Sequence, residues 1–143
     1  MQALNNIIVS LRNKGFRITP QRVAIINYLL NSQIHPTAEE ICKAVQRKYP
    51  MMSMATVYKT VDFLKNMGII QELCFAGEVN RYDANISKHV NVVCIRCKRI
   101  EDIDEQQSLS LLESRVSDRS RYQIFGGRFE LYGYCNNCKN KKT

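Results

Sequence analysis

The stretch SMATVYKTVDFLKNMGIIQEL, residues 53–73, holds a helix, its stop and the start of a strand. Ser53 is a natural N-cap, with a side-chain oxygen able to accept from an orphan backbone donor of the first turn. Val57, Val61 and Leu64 recur at three- and four-residue spacing and so share one face. Gly68 closes the helix at about Met67. Beyond it, Ile69-Ile70-Gln71-Glu72-Leu73 and Val79-Asn80-Arg81-Tyr82 are strand-like runs. They are joined through Ala76-Gly77-Glu78 in a hairpin longer than the tight two-residue kind.

Three more helices are predicted before this one. Leu4, Ile7, Ile8 and Leu11 recur at helical spacing, with Gly15 as a stop. Thr19-Pro20 supplies an N-cap and a first-turn proline ahead of the stripe Val23, Ile26, Leu29 and Leu30. Thr37-Ala38-Glu39-Glu40 is a capping box ahead of Ile41, Ala44 and Val45. Helices followed by a hairpin make a winged helix-turn-helix.

Toward the C-terminus, residues 84–88 read as a linker. A strand over Val90–Ile95, another around Arg99–Ile103 and a helix bearing Leu109, Leu112 and Val116 follow. Two more strands, Tyr122–Phe125 and Arg128–Tyr134, are expected about a Gly126-Gly127 hairpin turn. Residues 139–143 read as a frayed tail. The expected fold class is α+β, with a winged-helix domain over 1–83 and a small α/β domain over 84–143. No internal repeat or low-complexity tract is present.

The 143 residues are 45% hydrophobic and 24% charged, the composition of a folded chain. No stretch reaches the roughly 18 apolar residues of a membrane span. The N-terminus lacks the pattern of a signal peptide, so a cytoplasmic location is expected. Lys and Arg exceed Asp and Glu by 21 to 13, a net charge of +8, divided evenly between residues 1–80 and 81–143. That balance favours a polyanionic partner without specifying one.

In a reducing compartment, closely spaced cysteine pairs read as metal ligands, not disulfides. Cys94-x2-Cys97 and Cys135-x2-Cys138 are two such pairs. Two turns of paired thiolates complete a tetrahedron with no open position, which is a structural Zn(II) site. It would join the first and last strands of the second domain. Cys42 within a helix and Cys74 at the end of an apolar strand read as small buried hydrophobes.

The face of the fourth helix opposite Val57 and Val61 presents Ala55, Thr56, Tyr58, Lys59, Asp62 and Lys65. Small and polar groups with a Tyr and a Lys one turn on suit a major groove: methyl groups for thymine, Lys59 for guanine or phosphate, Tyr58 for base or backbone. Arg17, Gln21 and Arg22, at the start of the second helix, suit a phosphate. The neighbouring helices and wing favour this over an ordinary solvated face.

The chain has two histidines, His35 before Pro36 and His89 opening a strand. Asn91 shares a strand face with His89, Asp83 precedes the linker, and Asp102 and Asp104 alternate onto one face. Imidazoles with carboxylates and an amide oxygen suit Fe(II), Mn(II) or Zn(II). Such a site would draw ligands from both halves and fix the angle between them. Spacing alone leaves the plainer reading standing, with His35 a loop residue and His89 a surface strand residue.

Arg17-Ile18-Thr19-Pro20-Gln21-Arg22, His35-Pro36-Thr37-Ala38, Ala55-Thr56-Val57-Tyr58, Arg81-Tyr82-Asp83 and both cysteine pairs occur in the order of the ferric uptake regulator family. The resemblance covers nearly the whole chain. It implies a homodimer, not an enzyme, in which the first domain binds a palindromic AT-rich double-stranded DNA operator and the second dimerises. Within the family the chain looks most like the peroxide-responsive repressors, which hold Fe(II) or Mn(II) with histidines and aspartates. Mapped onto this chain, the ligands are His35, Asp83, His89 and Asp102. Asp83, where iron-uptake members tend to have Glu, and the lack of any histidine after His89 lean the same way. The resemblance further implies that peroxide reacts at bound Fe(II), a ligating imidazole is oxidised, metal is lost and repression is lifted.

Two departures stand out. Asn91 occupies a position where many peroxide sensors carry a third histidine, which implies four-coordination or a weaker amide ligand. Lys98 replaces the glycine that commonly follows the second cysteine. Two other regulatory readings are an iron- or manganese-responsive uptake regulator and a redox-switched zinc-ribbon interaction module. A zinc nucleobase deaminase needs an H-x-E signature. His35 is followed by Pro36-Thr37 and His89 by Val90-Asn91, so the signature is absent.

Overall fold

A computed structural model of the protein describes residues 2–74 and 79–140, without the side chains of Gln2 and Ala3. The expected turn at Ala76-Gly77-Glu78 and the last three residues of the expected tail lie outside the described residues. The chain divides into two compact units, Met1–Ile86 and Ser87–Thr143.

The first unit holds helices α1 (Gln2–Asn13), α2 (Pro20–Asn31), α3 (Ala38–Gln46) and α4 (Met54–Asn66), then strands β1 (Gln71–Leu73) and β2 (Arg81–Asp83). Each helix start that the sequence marked is built as its residues require. Thr19 Oγ1 accepts from Arg22 N at 3.3 Å ahead of Pro20. Thr37 and Glu40 close the capping box reciprocally, at 3.2 and 2.8 Å. Ser53 Oγ accepts from Thr56 N at 3.2 Å. Gly68 ends α4 at φ +65°, a left-handed conformation that a β-carbon disfavours, and Ile69 N then returns to Leu64 O at 3.0 Å.

The stripes converge on one core. Leu11, Ile25, Ile26, Ile41, Val57, Val61 and Leu64 are completely buried, each stabilising the fold by about 1.5–3 kcal/mol through removal from water. The strands pair antiparallel, with Gln71 opposite Asp83 and Leu73 opposite Arg81. Helices α2–α4 with this two-stranded wing form the expected winged helix-turn-helix.

The second unit holds β3 (Val90–Cys94), β4 (Ile100–Ile103), α5 (Gln106–Arg119) and β5 (Phe129–Gly133), in the sheet order β4-β3-β5. β3 and β4 pair antiparallel, whereas β5 runs parallel to β3, with Val90 opposite Phe129 and Cys94 opposite Gly133. This corrects the expected C-terminal hairpin: Tyr122–Phe125 is not a strand, and Gly126-Gly127 is not a turn between paired strands. A strand parallel to β3 cannot be reached by a tight turn, and residues 104–128, including α5, make the crossover. Phe125 is accordingly 88% exposed. On α5, Leu109 is buried while Leu112 and Val116 remain exposed in the single chain. No helix among the described residues is long and apolar enough to cross a membrane.

Leu64→Ala is expected to destabilise the first unit by about 2–5 kcal/mol through a core cavity. Thr37→Ala should cost about 1 kcal/mol through loss of the cap. Urea unfolding followed by far-ultraviolet circular dichroism separates the two, and equal costs would contradict the assigned core.

Candidate metal centres and nucleic-acid interface

The parallel pairing of β3 and β5 puts both cysteine turns at the same end of adjacent strands. Cys94 ends β3, and Cys135 follows two residues after Gly133. The Cys94, Cys97, Cys135 and Cys138 thiol sulfurs all lie within 4.8 Å of one another, with Cys97 and Cys135 at 3.7 Å. A zinc tetrahedron with bonds of about 2.3 Å has edges of about 3.8 Å, so these four residues fit Zn(II).

The backbone prepares the thiolates. Cys135 N–H donates to Cys94 Sγ at 3.4 Å. That donor foremost, with the Cys97 N–H, draws the Cys94 thiol down to a pKa of about 6. Burial, reinforced by the neighbouring thiols, pushes Cys138 up to about 12. Four thiolates this close together would repel one another, and a bound cation would neutralise them. Arg96 donates to Cys138 O at 2.9 Å, tying the first knuckle to the second. Lys98 sits at φ +61°, where its N–H reaches Cys94 O at 2.9 Å. The knuckle therefore demands a left-handed residue, which is the physical reason glycine suits that position.

Cys42 is buried, as expected, but Cys74 is exposed. Leu73 takes the inward position of β1, so the next residue points to the opposite face.

His35 lies in the loop between α2 and α3, yet neither histidine is exposed: His35 is 4% and His89 6% exposed. Within the first unit, His35 Nε2 lies 3.9 Å from Asp83 Oδ2. Within the second, His89 Nε2 lies 3.6 Å from Asp102 Oδ1. Bonds of about 2.1 Å give a tetrahedral edge of about 3.4 Å, which the His89–Asp102 separation approaches and the His35–Asp83 separation exceeds by about 0.5 Å. Ser87 O lies 2.8 Å from His89 Nδ1, an arrangement in which Nε2 would be the atom to meet a metal. Asn91 is buried opposite Asp102, and its Oδ1 has no hydrogen-bond partner among the described residues. A buried amide oxygen of this kind is costly unless something accepts its lone pairs, so the donor set fits a divalent cation. The sequence did not mark Gln71 or Asn85 as belonging near a ligand. Gln71 Nε2 donates to Asp83 Oδ2 and Asn85 N to Asp83 Oδ1, at 2.8 and 2.7 Å. The register that sets Gln71 against Asp83 was the missing signal.

On α4, Tyr58 is 47% exposed and Ala55 and Lys59 are exposed, so these residues are presented as expected. Arg17, Gln21, Arg22 and Thr56 line a common cleft of about 300 Å³ with Thr19, Met51 and Met52. The Arg22 guanidinium packs 4.4 Å over the Phe16 ring, itself stacked on Phe63. Lys65 differs from expectation: Glu72 engages it at 2.7 Å, so it braces the wing against α4.

In metal-loaded protein, Cys74 is expected to react at once with a thiol-specific disulfide reagent while the four clustered cysteines stay protected. A chelator should then release one zinc per chain together with four further reactive thiols. Prompt reaction of Cys94 or Cys138 before chelation would contradict a closed site.

Comparisons with known proteins agree with this architecture. Residues 13–132 match the model of the ferric uptake regulator family. The chain is 38% identical over 138 residues to the peroxide-responsive repressor PerR of Staphylococcus aureus, covering 96% of this chain and 93% of that protein. Among solved structures, PerR from Streptococcus pyogenes is 33% identical with a TM-score of 0.55, over 96% of this chain and 93% of that one. The Helicobacter pylori ferric uptake regulator Fur shares the fold with a TM-score of 0.84 at 20% identity, covering 98% and 93%. With this match over most of its length, the chain belongs to the ferric uptake regulator family.

Proposed function

We propose that this protein is a cytoplasmic, metal-dependent transcriptional repressor that senses peroxide. In this reading it acts as a homodimer on a palindromic, AT-rich DNA operator. Support for the peroxide assignment comes first from the relative of 38% identity, a peroxide-responsive repressor. The single observation that carries the metal assignment is the pairing of each buried histidine with an aspartate of its own unit.

In this reading, Zn(II) held by Cys94, Cys97, Cys135 and Cys138 is structural. His35, Asp83, His89, Asn91 and Asp102 hold the regulatory Fe(II) or Mn(II). Bound Fe(II) would supply a one-electron reductant for peroxide, whereas bound Mn(II) would keep the repressing form with little response. His35 and His89 contribute oxidisable imidazoles, and Asp83, Asp102 and Asn91 contribute oxygens that resist oxidation. Loss of an imidazole lowers metal affinity and so weakens the DNA-binding form. Ala55, Thr56, Tyr58 and Lys59 read the groove, and Arg17, Gln21 and Arg22 hold backbone phosphate. The exposed Leu112, Val116, Leu131 and Tyr132 of the second unit support self-association, because apolar surface of that kind is stabilised by a partner.

Operator affinity of the Fe(II)-loaded protein is expected to collapse after micromolar-scale peroxide, with one added oxygen at His35 or His89 by mass spectrometry. The Mn(II)-loaded protein should keep its DNA. Release with neither histidine oxidised contradicts the mechanism and favours a switch at the zinc cysteines. Release on metal removal alone, with no peroxide response, favours an uptake regulator.

A further inference from the structure

His35 has φ +49°, a left-handed backbone that is unfavourable for a residue with a β-carbon and persists only where its surroundings enforce it. The enforcing contacts come from β2. Arg81 Nη1 donates to His35 O at 3.0 Å, and Tyr82 N donates to Pro36 O at 3.0 Å. The same Arg81 Nη1 reaches Glu40 Oε2 at 3.5 Å, the oxygen that accepts from Thr37 N in the capping box of α3. Asp83 is held from β1. Gln71 donates to its Oδ2 and also to Asn85 O, each at 2.8 Å, while Asn85 N donates to Oδ1 at 2.7 Å. Both residues of the His35–Asp83 pair are therefore oriented by the wing.

We propose that Gln71 and Arg81 are positioning residues for the regulatory metal. Gln71 fixes the carboxylate of Asp83, and Arg81 fixes the left-handed loop that presents His35. The proposal rests on the assignment of His35 and Asp83 as ligands made above. A carboxylate free to rotate, or a loop free to relax to an ordinary φ, must be ordered anew when metal binds, which lowers affinity. Each carboxylate oxygen has two lone pairs, so accepting one amide N–H at Oδ2 is chemically compatible with metal ligation by the same carboxylate. Outer hydrogen bonds of this kind affect metal affinity about 10–100-fold. Because Arg81 also touches the capping box of α3, the loop holding His35 and the start of α3 share one anchor.

The test uses the full-length, zinc-loaded protein and Mn(II), with free Mn(II) read by electron paramagnetic resonance. His35→Ala and Asp83→Ala are expected to lose Mn(II) binding. Gln71→Met and Arg81→Met should keep the stoichiometry but bind about 10–100-fold more weakly. Arg81→Lys, which restores a cationic donor, should recover part of the loss. Melting of the manganese-free Gln71→Met protein should stay at the wild-type temperature, so that the lost affinity is not a loss of fold. If Arg81→Met does not fold, Gln71→Met decides alone. Unchanged affinity in Gln71→Met, or a loss matched by a lower melting temperature, overturns the proposal. Undiminished binding in His35→Ala and Asp83→Ala instead overturns the ligand assignment, a separate failure.

Discussion

The parallel pairing of β3 with β5 is the constraint on which the second unit depends. Parallel neighbours end on the same side of a sheet, so a cysteine turn after each delivers four sulfurs to one point. The alternative, an antiparallel C-terminal hairpin, would leave the last cysteine pair with no such guarantee of meeting the first. The crossover through α5 follows from the same requirement. A small three-stranded sheet with few fully buried side chains gains much of its stability from closing such a cluster on a cation, since a structural zinc site contributes folding free energy directly.

The first unit is held differently. Its helices carry their own start signals, and its core is built from the apolar stripes that those helices present. Upon this rigid base the wing performs two tasks. Glu72 takes Lys65 of α4, while Gln71 and Arg81 orient Asp83 and His35. A short two-stranded ribbon is marginal in isolation. Here its side chains engage both α4 and the candidate ligands, so its geometry is set by both.

The contrast among the cysteines makes the division of labour plain. Six cysteines occur in the chain. The four in paired spacing cluster, Cys42 is packed among apolar neighbours, and Cys74 is turned outward. Paired spacing within a turn is a local property and survives translation into structure. The burial of a single cysteine depends on which face of its strand meets the core, and that is decided by register. Lys98 makes the complementary point: the resemblance marked it only as a departure from glycine, and the knuckle holds it in a left-handed conformation.

What the sequence by itself determined is whatever depends on neighbours in the chain: helix starts at Thr19, Thr37 and Ser53, the stop at Gly68, the stripes of the core and the two cysteine turns. These rest on interactions spanning about five residues or fewer, which spacing records. Tertiary structure alone decided that β5 lies parallel to β3, that Tyr122–Phe125 is not a strand, and that His35 and His89 are buried beside Asp83 and Asp102. It also decided that Gln71 and Arg81 stand behind a candidate ligand pair. Each of those outcomes joins residues distant in the chain, and their meeting is fixed by strand register and packing, which no local pattern encodes.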